Sequence, residues 1–154
     1  MDSRLFFYEF GKLIYKIDGI YSEYAKREDV KENLLWILYA LNDGNSHSQK
    51  EICESWDLPR STVNTIMKEL ESDGHVDLIQ IKGEKRELEI KLTSKGEEYS
   101  SKLLMNLYNI ENETFNDLND LEVLNKLKEI HDLLDKKMEA YKWLRKLVCF
   151  YWVY

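Results

Sequence analysis

The clearest structural signal in the chain is Leu58-Pro59-Arg60-Ser61-Thr62-Val63-Asn64-Thr65-Ile66-Met67-Lys68, which continues as Glu69-Leu70-Glu71-Ser72-Asp73-Gly74. Pro59 favours the first turn of a helix, because its fixed φ suits that turn and its missing N–H would lack a partner there. Gly74 tolerates the left-handed conformation that ends many helices. We therefore predict a helix over residues 60–73, with four apolar residues at three- and four-residue intervals on its buried face: Val63, Ile66, Met67 and Leu70.

The opposite face of this helix carries side chains of the kinds that bind DNA. Arginine pairs with guanine, asparagine with adenine and hydroxyls with either, and a recognition helix contacts the major groove through its N-terminal half. Two cations and no acid lie within residues 58–68. For the helix alone, a solvated polar face is an equally good interpretation. The residues predicted to contact DNA here are Arg60, Ser61, Thr62, Asn64, Thr65 and Lys68.

A second, shorter helix is predicted just before this one. Ser48-Gln49-Lys50-Glu51 has the pattern of a capping box, in which Ser48 and Glu51 satisfy free amides of the first turn. This helix should run over residues 48–56 with Ile52 and Cys53 facing inward. Upstream, an apolar helix is expected from about Asp29 to Leu41, ended by the turn residues 42–45.

After Gly74 the apolar period changes from 3.6 to 2, which predicts a two-stranded hairpin. Its tip, residues 82–86, holds three cations and one acid. A basic tip at a fixed distance behind a recognition helix strengthens the DNA interpretation. The apolar positions of the two strands are Val76, Leu78 with Ile79, Ile81, Leu88, Ile90 and Leu92.

Long helices are predicted on both sides of this region. The first covers residues 3–25, another begins at Thr93 or Ser94 and ends near Glu111, and the last begins near Asn116. The predicted fold is mainly α with a small antiparallel β-hairpin: a winged helix-turn-helix over residues 29–93, flanked by dimerisation helices over 1–28 and 94–154. The apolar stripe of the first helix consists of Phe6, Phe10, Leu13, Ile14, Ile17, Ile20, Tyr21 and Tyr24; that of the last consists of Leu121, Leu124, Leu127, Ile130, Leu134, Met138, Tyr141, Leu144 and Val148.

Several of these segments together resemble the MarR family of bacterial transcription regulators. The similarity covers residues 30–96 through Ser48–Cys53, Leu58–Asn64 and Leu70–Gly74, and through Glu84-Lys85-Arg86 followed by Leu92-Thr93-Ser94-Lys95-Gly96. The family's wing usually has Asp-x-Arg, for which this chain has Glu84-x-Arg86, and a strand that ends Leu-Thr-x-x-Gly. Glu84 takes the place of the usual aspartate, and Glu87 and Glu89 add acid behind the tip. These departures bear on the affinity for DNA more than on the mode of binding.

The resemblance implies a homodimer in which the first and last helices of two subunits interlock. The recognition helix would then read the major groove, and Arg86 in the wing would reach the minor groove or its backbone. The partner would be double-stranded DNA with pseudo-palindromic half-sites roughly 10 bp apart. Arg60, Asn64, Thr65 and Lys68 would contact bases, and the backbone contacts would come from Ser48, Gln49, Lys82, Lys85 and Arg86.

The overall charge argues in the other direction. The chain of 154 residues has 22 Lys and Arg against 29 Asp and Glu, a net charge of −7, whereas phosphate binding needs local positive charge. An alternative function is therefore a winged helix kept as a protein-interaction module. The two basic patches favour a sequence-specific DNA-binding regulator, with repression as the first expectation.

Other classes of function have no supporting residue set. His47, His75 and His131 lack metal-ligand spacing, no nucleophile or phosphate-loop motif is present, and neither enzyme activity nor a cofactor is expected. Cys53 is expected to be buried and inert, with a redox sensor as the alternative. The aromatic first helix is expected to form dimer core; a cavity for a small aromatic effector is the alternative. With no signal-peptide or membrane-spanning pattern, a cytoplasmic location and no membrane partner are expected.

Overall fold

The computed structural model describes residues 2–80, 88–118 and 122–151, the last nine of these by their backbone only. The chain divides into two units, residues 1–110 and 111–154. The elements in chain order are α1 (Ser3–Arg27), α2 (Glu32–Leu41), β1 (His47–Ser48), α3 (Gln49–Trp56), α4 (Arg60–Ser72), β2 (Val76–Gln80), β3 (Leu88–Leu92), α5 (Ser94–Asp117) and α6 (Val123–Tyr151).

The core of the first unit consists of one hydrophobic cluster, to which the predicted apolar faces contribute. All four inward positions of α4 are buried, and they lie in one cluster with Ile52 of α3 and with Val76, Ile90 and Leu92 of the sheet. Helix α2 contributes Leu35, Ile37, Leu38 and Leu41, which are at most 1% exposed. This packing fixes α3 and α4 against the sheet, so their polar faces are presented by a rigid scaffold.

The predicted mainly helical fold with a small antiparallel sheet is confirmed, but the sheet has three strands instead of two. Strand β1 pairs antiparallel with β3, so the strand order is β1-β3-β2. The hairpin register is as the alternation predicts, with Val76 opposite Leu92 and Leu78 opposite Ile90. The tip of the predicted hairpin, residues 82–86, lies outside the described residues, as does the predicted strand position Ile81.

Three predicted element boundaries were wrong. Helix α2 begins at Glu32 instead of Asp29, because Asp29 has a φ of 55° and is left-handed. Helix α5 continues to Asp117, beyond the predicted end near Glu111, and α6 begins at Val123 instead of Asn116. The side chains of Leu144 and Val148, predicted for the last apolar stripe, lie outside the described residues, as does Leu121.

Candidate nucleic-acid interface

Helix α3 begins with the capping box predicted from the sequence. The Glu51 amide donates to the Ser48 hydroxyl at 3.1 Å, and the Ser48 amide donates to the Glu51 carboxylate at 2.7 Å. The backbone hydrogen bond from Ser48 is the main reason that the pKa of Glu51 is lowered. The amides of Gln49 and Lys50 in the first turn have no acceptor within the helix. The start of α3 therefore offers a serine hydroxyl and free amides to an anion.

Helix α4 presents its polar face as the sequence predicts. Arg60, Ser61, Asn64, Thr65 and Lys68 are exposed, whereas Thr62 is half-buried. Pro59 is the N-cap residue, with an extended ψ of 133°, and its carbonyl accepts the amides of Thr62 and Val63. The predicted contact residues on α4 are thus all at least partly accessible.

The two helices form a cleft, here called the α3–α4 cleft, with a volume of about 590 Å³. Five of the eight residues that line it are residues predicted from the sequence to contact DNA. Two cations, Lys50 and Arg60, lie in the lining, which contains no acid. The full lining is Ser48, Gln49, Lys50, Cys53, Arg60, Ser61, Asn64 and Leu88.

Three residues of the α3–α4 cleft were not predicted there. The sequence predicts Lys50 only as part of the capping pattern and Leu88 only as an apolar strand position. The prediction that Cys53 is buried was wrong: its side chain is partly exposed and lines the cleft. Cys53 packs against the core cluster and also lines the cleft, and periodicity alone does not distinguish such a position from a fully buried one.

A second cleft of about 370 Å³ lies between the start of α2 and the other edge of α4. This α2–α4 cleft includes Lys31 and Asn33, both exposed and both missed by the sequence analysis. It also contains Glu69, so the outer face of α4 carries one carboxylate just beyond the acid-free span. The lining residues are Lys31, Asn33, Ser61, Thr62, Thr65, Ile66 and Glu69.

Not every predicted contact residue belongs to these clefts. Lys68 is exposed on α4 but lines neither of them. The Thr65 hydroxyl donates to the Ser61 carbonyl at 2.9 Å, which leaves its methyl group and its acceptor capacity for a base. The wing residues Lys82, Lys85 and Arg86 lie outside the described residues, so their contacts with DNA stay a prediction.

The root of the wing is attached directly to the start of α3. His47 and Ser48 of β1 pair with Ile90 and Glu89 of β3. The Ser46 hydroxyl donates to the Glu89 carboxylate at 3.0 Å. This carboxylate, one of the acids near the predicted wing, is therefore hydrogen-bonded within the fold. The wing strand and the capped end of α3 are therefore positioned together.

The histidines have local partners within the fold. His47 lies 3.0 Å from Asp43 in the turn before β1, and the ring of His75 stacks on Tyr99 with centroids 4.7 Å apart. His131 lies 3.0 Å from Asp132 in α6. Among the described residues, no group of three or more His, Cys, Asp or Glu side chains is arranged to hold a metal ion. Nor does this part of the chain contain a helix long and apolar enough to span a membrane.

A capped short helix, a proline-led second helix and a three-stranded sheet in the order β1-β3-β2 define a winged helix-turn-helix protein. The resemblance noted in the sequence is confirmed, because residues 30–87 match the model of the MarR family. Among curated proteins, none is recognisably similar in sequence.

Solved structures of MarR regulators share the fold. A MarR family regulator from Neisseria meningitidis is 24% identical, with a TM-score of 0.78, over 86% of this chain and 96% of its own. Reduced AbfR of Staphylococcus epidermidis, bound to DNA, is 18% identical, with a TM-score of 0.63, over 88% and 94%. BpsR of Bordetella bronchiseptica, whose DNA binding is regulated by 6-hydroxynicotinic acid, is 16% identical, with a TM-score of 0.60, over 81% and 98%.

Proposed function

We propose that this protein is a sequence-specific double-stranded DNA-binding transcriptional regulator, acting as a homodimer and as a repressor. The observation that carries the proposal is the α3–α4 cleft, where Arg60 and Asn64 lie with the capped start of α3. Arginine and asparagine supply the paired hydrogen bonds that distinguish guanine and adenine in the major groove. Ser48 and Gln49 stand where a hydroxyl and helix amides would hold a phosphate.

The local charge supports this proposal despite the acidic chain. The α3–α4 cleft is lined by two cations and no acid, whereas the α2–α4 cleft holds one cation, Lys31, and one acid, Glu69. The wing residues Lys82, Lys85 and Arg86 are proposed to add contacts to the DNA backbone. Because these cations are few, the affinity should be modest, and it should fall as salt is added with a slope set by the number of phosphate contacts.

Dimerisation is proposed through the first and last helices. Within the first unit, the apolar stripe of α1 is open to solvent, with Leu13 56%, Ile17 52% and Ile20 65% exposed. In the second unit, Leu124, Leu134 and Met138 of α6 are between 42% and 56% exposed. Apolar stripes of this length are covered in stable soluble proteins, and a two-fold dimer would cover both and would present two recognition helices to a pseudo-palindrome.

We propose further that a small aromatic effector binds this protein and regulates its DNA binding. A half-buried aromatic cluster joins α1, α2 and α3, with Trp36 4.8 Å from Tyr21 and 4.9 Å from Trp56 between ring centroids. Flat aromatic acids would stack on such rings. Thermal shift against a panel of small phenolic acids, with benzoate and an aliphatic acid of equal charge as controls, would detect this binding.

The proposal is tested by titrating a labelled random duplex at low salt and then selecting bound sequences from a random library. DNA binding predicts saturable anisotropy that weakens with salt, followed by enrichment of an inverted repeat. Arg86→Ala should weaken binding to all duplexes alike, whereas unchanged binding would remove Arg86 from the interface. If no binding occurs even at low salt, the DNA proposal is wrong, and the alternative of a winged-helix protein-interaction module is favoured.

A further inference from the structure

The C-terminal end of α4 is held by the first residues of α5. Three consecutive backbone carbonyls at this end each accept a hydrogen bond from the same short segment. The Lys95 ammonium donates to Asp73 O at 2.6 Å, the Thr93 hydroxyl to Gly74 O at 2.7 Å, and the Thr93 amide to His75 O at 3.0 Å. We call this set of contacts the α4–α5 clamp.

Thr93 has two roles in the α4–α5 clamp. Its hydroxyl donates to Gly74 O and also accepts the amide of Gly96 at 3.1 Å, so it caps the first turn of α5. One oxygen atom thus joins the end of α4 to the beginning of α5. Valine at this position would keep the branched shape and lose both bonds, whereas serine would keep both.

The surroundings of Thr93 leave little freedom for this junction. Gly74 has a φ of +71°, and the His75 amide closes the end of α4 on Leu70 O at 2.8 Å. Gly96 lies so close to His75 that a Cβ atom would come within 1.9 Å of its carbonyl oxygen. The ring of His75 lies flat on Tyr99 of α5. His75 Nδ1 is buried without a hydrogen-bond partner among the described residues.

Helix α5 is in turn bonded to α1. The Tyr24 hydroxyl donates to the Leu103 carbonyl at 2.6 Å. Leu103 lies about three helical turns after Thr93. The proposed dimer helix α1, helix α5 and the recognition helix α4 are therefore linked by two specific hydrogen-bonded junctions within the first unit.

We propose that Thr93 is a positioning residue that fixes the direction of α4 on α5 and thereby sets which half-site spacing the dimer accepts. The inference rests on the proposed function, since it assigns α4 to the major groove and α1 to the dimer. Two recognition helices held at a fixed separation discriminate between spacings, because a shift of one base pair moves a half-site along and around the duplex. Loosening the clamp would widen the range of accepted spacings.

The test uses the full-length protein and an inverted repeat selected from a random library. Duplexes with the same half-sites and separations longer or shorter by one base pair are titrated at fixed salt, and the ratio of their Kd values to the preferred one is the readout. Thr93→Val, which loses both hydrogen bonds of the hydroxyl, should reduce that ratio by about threefold or more, a lower bound set by the usual value of one neutral hydrogen bond. Thr93→Ser should keep it.

The outcomes separate the two proposals. If the wild-type protein selects no duplex, the proposed function fails and the positioning role fails with it. If the wild type discriminates between spacings and Thr93→Val does so equally, with only a lower Tm or a uniform loss of affinity, Thr93 is structural and the positioning role is wrong. If Thr93→Val does not fold, the exposed Lys95→Met variant, which loses only the bond to Asp73 O, is judged by the same ratio.

Discussion

Ser48 pairs with Glu89 in the β1–β3 ladder and is at the same time the N-cap residue of α3. One residue therefore connects the root of the wing to the helix that supports the recognition helix. The α3–α4 cleft begins at this junction, since Ser48 and the neighbouring wing residue Leu88 both line it. A DNA backbone held at the start of α3 would thus lie in a fixed register with the wing strand.

Arg60 is expected to carry sequence discrimination. Arg60→Ala should weaken binding to the selected duplex by about 1–3 kcal/mol, the usual value of a paired contact with guanine, and should weaken random duplex much less. Anisotropy titrations of both duplexes measure the two effects. Arg27→Ala is the matched control, because Arg27 is an exposed arginine of α1 that lines neither cleft. Equal losses on both duplexes would show that Arg60 only contacts phosphates.

Lys31 is expected to contact a phosphate. Lys31→Ala should lower the slope of log K against log salt by about 0.9, the value for one phosphate contact, on specific and random duplex alike. The slope is measured from titrations at several salt concentrations. Lys102→Ala removes an exposed lysine of α5 and should leave the slope unchanged. A wild-type slope for Lys31→Ala would mean that DNA does not reach the α2–α4 cleft.

Cys53 provides an independent test of which face binds DNA. In a Cys149→Ser background, labelling of Cys53 by a thiol reagent should slow in proportion to the fraction of protein bound to duplex, because the cleft that it lines would be covered. The rate is followed by mass spectrometry with and without DNA. A cysteine introduced by Lys102→Cys in a Cys53→Ser, Cys149→Ser protein should react at the same rate in both conditions. Labelling of Cys53 that is unaffected by saturating duplex would rule out the α3–α4 cleft as the interface.

The sequence predicts the central part of this fold because its signals are local. The capping box at Ser48, Pro59 before α4 and Gly74 after it each act within one helical turn, and the structure places all three at helix ends. Strand β1 was missed because two residues are too short for alternation to be detected. The end of α5 and the start of α6 were misplaced because no local signal marks them: α5 continues to Asp117 through Asn112 and Asn116, although asparagine is a weak helix former.

The residues of the candidate interface could be predicted only where the exposed face of a single helix determines them. Beyond the first turn, the exposed residues of α4 follow from periodicity, since burying Val63 and Ile66 turns Asn64 and Lys68 outward. Arg60 is exposed because it is the first residue of the helix. Lys31 and Asn33 belong to a helix whose own pattern only indicates burial, and they join the candidate surface because α2 packs beside α4. Such convergence depends on tertiary packing, which no local pattern in a single sequence records.

Ile17 is expected to be essential for dimerisation. Ile17→Glu places a charge in the middle of the α1 stripe, where desolvation on association would be costly, and should give a monomer at micromolar concentration by sedimentation. Loss of the second recognition helix should lower the affinity for the inverted repeat by about a hundredfold or more. Tyr15→Glu makes the same change of charge on the opposite face of α1, at a side chain that is 80% exposed, and should stay dimeric. A dimeric Ile17→Glu protein would exclude the α1 stripe from the interface.

Gly96 is expected to be required by close packing. In Gly96→Ala the new Cβ would lie 1.9 Å from the His75 carbonyl oxygen and 3.1 Å from Leu92 Cδ2, so the junction of α4 and α5 must shift. Overpacking of this kind usually lowers the free energy of unfolding by about 1–3 kcal/mol. Urea unfolding at one fixed protein concentration measures the change, since a dimer's stability depends on concentration.

Gly19→Ala is the matched control for Gly96→Ala. A Cβ atom added at Gly19 would meet no atom within 4 Å, and alanine should stabilise the exposed face of α1 by up to about 1 kcal/mol. If Gly96→Ala unfolded at the wild-type urea concentration, the junction of α4 and α5 would have room for a Cβ atom, and the close-packing prediction would be wrong.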